Sequence, residues 1–114
     1  MEILEELKDV IEKMNREIDC VIVEGKNDKV ALEMLGLKKK ILYHFQLEKI
    51  EGKVVILTDF DREGNRIAKE ITRKIGEKRI EKIYREKFRK ILKKFGRNDI
   101  QSIKNLIEEY YSKI

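Results

Sequence analysis

Val54-Val55-Ile56-Leu57-Thr58-Asp59-Phe60-Asp61-Arg62-Glu63-Gly64 decides how this chain is read. Four consecutive apolar residues, three of them β-branched, predict a strand buried on both faces. The run ends abruptly in Thr58 and a string of acids, followed by glycine. A second such run stands upstream: Cys20-Val21-Ile22-Val23 ends in Glu24-Gly25. Two buried strands that each end in a carboxylate predict an α/β domain with its site at the carboxyl edge of the sheet, where ligands bind open α/β sheets.

Helical patterns lie between and around these strands. Ile3, Leu4, Leu7, Val10, Ile11, Met14 and Ile18 recur at three- and four-residue steps and predict a first amphipathic helix. Val30 to Leu35 predicts a second, closed by Gly36. Ile41-Leu42-Tyr43 predicts a short strand, and the stretch from His44 to Gly52 has room for one helical turn. Ile67, Ala68, Ile71 and Ile75 mark a third helix ending near Gly76. Ile80 to Tyr84 predicts a fourth strand. Phe88, Ile91, Leu92 and Phe95 form one stripe of a helical tail; Ile100, Ile103, Leu106, Ile107 and Tyr110 form the next. Gly96 separates them, and Asn98 with Gln101 fits a capping box. The expectation is about four mostly parallel strands with helices on both faces and a C-terminal helical tail.

The chain has 114 residues, enough for one domain with one core. Charged residues make up 43% and apolar residues 41%. The apolar residues are periodic throughout, so high charge does not predict disorder here. Abundant Lys, Glu and Ile without Pro suits a helix-rich domain from a thermophile. The net charge of +5 permits a polyanionic partner without demanding one. Cys20 is the sole cysteine, which excludes an intrachain disulfide and predicts a buried, inert thiol. Met1 leads straight into an acidic amphipathic stretch, so no secretory signal is expected, and no apolar run reaches the roughly 20 residues of a membrane span. Together these features predict a soluble cytoplasmic protein.

Clustered carboxylates raise one another's pKa, and a hard cation removes that cost. Mg²⁺ takes oxygen ligands, commonly one or two carboxylates with water and substrate phosphate. Asp59 and Asp61 stand two apart, so in an extended segment they point to one side. Glu63 shares that side only if the chain stays extended, and turns away if a helix begins at Asp61. Lys26 and Arg62 fall near helix starts and are candidate phosphate contacts. Arg66, His44 and the basic run from Arg85 to Lys94 are better read as surface or structural residues.

Val21-Ile22-Val23-Glu24-Gly25-Lys26-Asn27-Asp28 and Ile56-Leu57-Thr58-Asp59-Phe60-Asp61-Arg62-Glu63-Gly64 together resemble the two motifs of the Toprim family. That family includes type IA and type II topoisomerases, bacterial primases, OLD-type nucleases and a nuclease that matures ribosomal RNA. The second stretch is similar to the Asp-x-Asp-Arg-Glu-Gly form of type IA topoisomerases, with Asn65 where those enzymes usually carry an acid. The resemblance covers about residues 20–84. It implies a Rossmann-like fold, Glu24 as general acid or base, Asp59 and Asp61 as Mg²⁺ ligands, and Glu63 as a further acidic contributor. It also implies nucleic acid, RNA or DNA, as partner; a protein partner or a second copy is compatible. Tyr43, Tyr84, Tyr110 and Tyr111 are expected to be packing or surface residues and not nucleophiles. The expected function is Mg²⁺-dependent processing of nucleic-acid phosphodiesters, nuclease-like in kind. The alternatives are a non-catalytic nucleic-acid or nucleotide-binding module and a nucleotidyl-transfer subunit of a larger complex.

Overall fold

A computed structural model describes residues 2–112. Helix α1 (Glu2–Glu17) leads into strand β1 (Cys20–Val23), helix α2 (Lys26–Met34) and strand β2 (Lys40–Tyr43). A 3₁₀ turn (Leu47–Lys49) precedes strand β3 (Val54–Ile56), which feeds helix α3 (Arg62–Ile75) and a second 3₁₀ turn (Glu77–Arg79). Helices α4 (Lys82–Lys94) and α5 (Ser102–Ser112) complete the chain. The three strands are parallel in the order β2-β1-β3, with Val21 opposite Ile41 on one side and Val55 on the other.

Strand alternation sends side chains into two separate cores. Val21, Val23, Val55 and Leu57 pack with α1, α2, α4 and α5. Cys20, Ile22, Val54 and Ile56 pack with Ala68 and Ile71 of α3, flanked by Leu47 and Ile50 from the β2–β3 connection. Helices therefore cover both faces, which is why β1 and β3 are apolar throughout, while the edge strand β2 starts with the exposed Lys40. Burial pushes the Cys20 thiol up from its ordinary value, as expected of an inert core cysteine. Tyr84 is buried and its hydroxyl donates to Glu17 of α1; burial, then Glu17, pushes its pKa up to about 12. No described helix is long and apolar enough to cross a membrane.

Two local expectations are corrected. Ile80 to Tyr84 is not a fourth strand. Only Ile80 pairs, through one bridge to Val54, and α4 begins at Lys82. The cause is Tyr84, which belongs to a helical stripe with Phe88, Ile91 and Leu92 at steps of four, three and one. The carbonyls of β3 that a fourth strand would have engaged find other donors. Glu81 N–H donates to Val54 O at 2.7 Å, and Arg85 Nη1 donates to Ile56 O at 3.2 Å and Thr58 O at 2.8 Å. A guanidinium and one bridge thus close the sheet edge. The second correction concerns α5, whose capping side chain is Asp99 and not Asn98. Asp99 Oδ1 accepts from Ser102 N–H at 3.2 Å. Asn98 instead offers its carbonyl to Phe60 N–H at 2.7 Å.

Candidate metal centre

The strand order places a topological switch between β1 and β3. From β1 the chain turns through α2 onto one face; from β3 it turns through α3 onto the other. Glu24 and Asp59 follow these two strands at the crevice that results. Leu57 N–H donates to Ile22 O at 2.8 Å, so the ladder stays in register almost to the acids.

Three carboxylates meet there. One oxygen from each of Glu24, Asp28 and Asp59 lies within 4.8 Å of the others. Asp28 sits in the first turn of α2, is buried, and accepts from Gly25 N–H through Oδ2 at 3.0 Å. That bond folds the helix start back onto the end of β1 and carries the Asp28 carboxylate toward Glu24. Asp59 Oδ1 accepts from Ile100 N–H at 3.4 Å, which ties the crevice to the segment before α5.

The electrostatics are those of an uncompensated acidic cluster. Burial, then the hydrogen bond and charge of Asp59 and the charge of Asp28, push the Glu24 carboxyl up to about 7. Asp28 is raised by burial, with Asp59 and Asp99 adding to it. Burial raises Asp59 as well, although its bond with Glu24 works the other way. The two carboxyls titrate as a pair, and the proton that the raised values retain is shared between Glu24 and Asp59.

The loop carrying Asp59 is fixed from several sides. Thr58 is fully buried and its Oγ1 donates to Gly64 O at 2.7 Å. A Cβ on Gly64 would stand 2.0 Å from the carbonyl oxygen of Asp59, so only glycine permits this approach. From α4, Arg85 Nη2 donates to Asp59 O at 3.0 Å and to Asn65 Oδ1 at 2.9 Å, and its guanidinium lies 4.8 Å from the Phe60 ring centroid. Gly25 is different: its φ of −153° is open to any residue and nothing approaches the place of its Cβ.

The remaining sequence candidates fall around this centre. Asp61 caps α3, its Oδ1 accepting from Gly64 N–H at 2.7 Å, and its charge contributes to raising Asp59. Because the helix begins at Arg62, Glu63 turns outward and pairs with Arg66, whose other partner is Glu70. Lys26 and Arg62 are the exposed first residues of α2 and α3. Asp28 and Arg85 are functional candidates absent from the sequence expectations. The signal for Asp28 was its place three residues after Gly25, where an acid in a first helical turn reaches back to the cap backbone.

A Toprim domain model matches residues 19–91. The chain belongs to the Toprim domain family. The match contains all three strands and Glu24, Asp28, Asp59, Asp61 and Glu63. The Toprim chain is 36% identical to a UPF0292 protein of Thermococcus sibiricus, over 91% of its own length and 87% of the relative's. It is 35% identical to a UPF0292 protein of Methanocaldococcus jannaschii, covering 90% of each. A ribonuclease M5 of Borreliella burgdorferi is 35% identical over 66% of the chain but only 38% of that enzyme. Among solved structures, a putative protein from Aquifex aeolicus superposes with a TM-score of 0.60 at 28% identity, covering 89% of this chain and 94% of that one. Similarity at this level places the Toprim chain with nucleic-acid-processing proteins. The relatives from Thermococcus agree with the thermophilic composition.

Three buried or half-buried carboxylates with raised pKa values offer hard oxygen donors only. That donor set fits Mg²⁺ and not a soft metal.

Proposed function

We propose that this Toprim protein cleaves phosphodiester bonds of nucleic acid with Mg²⁺ held at the crevice between β1 and β3. The observation that carries the reading is the convergence of Glu24, Asp28 and Asp59 within 4.8 Å at the sheet's topological switch.

Asp59 would hold the cation together with Asp28. Asp61 spends one oxygen on the cap of α3 and would contribute its other. Glu63 would reach the site only if its pair with Arg66 opened. When bound, Mg²⁺ would polarise a phosphoryl oxygen or lower the pKa of an attacking water. Glu24 is suited to moving the proton, because a carboxyl near 7 is poised to give or take one at neutral pH. The starts of α2 and α3 face this edge, so their free N–H groups with Lys26 and Arg62 would bind flanking phosphates. The open space at Gly25 leaves room for a backbone phosphate close to the chain. Arg85 acts as a positioning residue: its guanidinium is committed to the Asp59 loop.

Beside the centre, a cleft of about 790 Å³ runs between α3 and α4, and Asn65 and Arg85 belong to both. Lys69, Lys82, Arg73 and Arg89 line it together with Glu77, Glu81 and Glu86, and its basic side chains would give a continuation for the polyanion in a protein of net charge +5.

End-labelled RNAs and DNAs, paired and unpaired, are incubated with the protein in Mg²⁺ and in chelator. Metal-dependent cleavage of at least one class supports the proposal. Binding without turnover on any class replaces it with a non-catalytic module.

A further inference from the structure

The carboxyl edge carries a feature that the three carboxylates do not use. His44 N–H donates to Val23 O at 3.0 Å, which extends the β1–β2 ladder one step beyond β2 and sets His44 opposite the approach to Glu24. The next residue, Phe45, is 68% exposed, the most open of the large apolar side chains on the described surface. Its ring stacks on Tyr43, with centroids 5.5 Å apart and planes 20° from parallel, and His44 meets it edge-on. The turn is rigid: Gln46 Oε1 accepts from Tyr43 N–H at 3.0 Å, and Gln46 N–H donates to Tyr43 O at 2.9 Å.

Met34, Ile83, Phe95 and Tyr111 are also exposed, but Phe45 is the most open of them and the one at the carboxyl edge of the sheet, a supported aromatic ring held out in water. Neighbouring strands lie about 4.8 Å apart. The parallel register, carried one step on, sets His44 beside Glu24 on the neighbouring strand, and Phe45 is the next residue of the chain. We infer that Phe45 is a stacking platform for an unpaired nucleobase next to the phosphate bound at Glu24, Asp28 and Asp59. A base in a continuous duplex has both faces covered by its neighbours, so a platform at this edge selects single-stranded, bulged or frayed nucleic acid. Stacking is indifferent to base identity, because each base offers a π face. The inference rests on the nucleic-acid reading of the neighbouring carboxylates and adds the substrate's local form.

The chain has no tryptophan, so Phe45→Trp places a single reporter on the surface. Its emission is followed in Mg²⁺ and again in chelator while oligonucleotides are added, and anisotropy of the labelled oligonucleotide reports binding independently. The expected result is quenching by oligo(dT) and oligo(U), with much less by a blunt duplex. Phe45→Ala should lose about tenfold in affinity for single strands and little for the duplex. Trp emission that does not change while anisotropy shows bound single strand overturns the inference. So does Phe45→Ala binding single strands as the parent does, absence of oligonucleotide binding by the parent, or a shift in oligomeric state on Phe45→Ala as its sole effect. Because these titrations need no turnover, quenching without cleavage would leave the platform standing and remove only the catalytic reading.

Discussion

The carbonyl oxygen of Asp59 occupies the space where a Cβ on Gly64 would have to stand, 2.0 Å away. The acid at the end of β3 and the first turn of α3 are thereby held closer than any side chain allows. Gly64→Ala must push backbone away from backbone. It should cost about 1–3 kcal/mol, the usual price of overpacking, and displace Asp59. Urea unfolding and Mg²⁺ titration check both. Parental stability with parental metal affinity would show that the loop has slack.

Arg85 closes the edge of β3 and grips the Asp59 loop from α4 through four acceptors. Arg85→Lys keeps the charge but has no planar fork to serve carbonyls at 56, 58 and 59 together. It should lose roughly 1.5–3 kcal/mol, the range for hydrogen bonds to a charged group, and weaken Mg²⁺ binding through the loop. Thermal unfolding with added Mg²⁺ separates the two effects. An unchanged Tm would make the contact incidental.

Much of this was legible in the sequence, and the exceptions have physical causes. Val54 to Leu57 and Cys20 to Val23 are apolar on both faces because helices cover both faces, so the two strands and their terminal acids stood out. Tyr84 misled because its helical partners, Phe88 and Ile91, lie beyond the short stretch from Ile80 to Tyr84, whose apolar residues are interrupted by Glu81 and Lys82. Asp28 was hidden because α2 starts at Lys26, four residues before its apolar stripe. Arg85 belongs to a run of bases that reads as a solvated face; which of them turns inward depends on the helix phase set by Tyr84 and Phe88. Asn98 and Asp99 are both capping residue types, and the sequence does not show that the carbonyl of Asn98 is taken up by Phe60 while Asp99 caps α5.

Asp28 should behave as a member of the centre. Asp28→Asn keeps an oxygen to accept the Gly25 N–H but removes the charge. Mg²⁺ affinity should fall by about tenfold or more, with α2 intact by circular dichroism. Unchanged affinity would return Asp28 to the role of helix cap alone.

The carboxyl of Glu24 sits near 7 in the folded chain against an ordinary 4.5. Between those values the folded state binds more protons than the unfolded one, so stability falls as pH rises. The metal-free protein should be most stable below about 4.5 as far as this group is concerned, and lose that contribution as pH passes through about 7. Mg²⁺ competes for the same site, so its affinity should rise across the same window. Glu24→Gln should reduce the slope; Asp28 and Asp59, also raised, leave a remainder. Urea unfolding at a series of pH values, with chelator, reads it out. Parental stability that climbs through this window would refute the assignment.

The account stands on Asp59 and Glu24 doing different work in one metal-dependent site. The direct measurement is the single-turnover cleavage rate of a labelled nucleic acid as a function of Mg²⁺, for the parent, Asp59→Asn and Glu24→Gln. Asp59→Asn should need far more Mg²⁺ to reach any rate. Glu24→Gln should lower the rate at saturating Mg²⁺ by about 10²–10⁴ while still binding the nucleic acid. A parent that cleaves equally well in chelator, or variants that match its rate at every Mg²⁺ concentration, would contradict it.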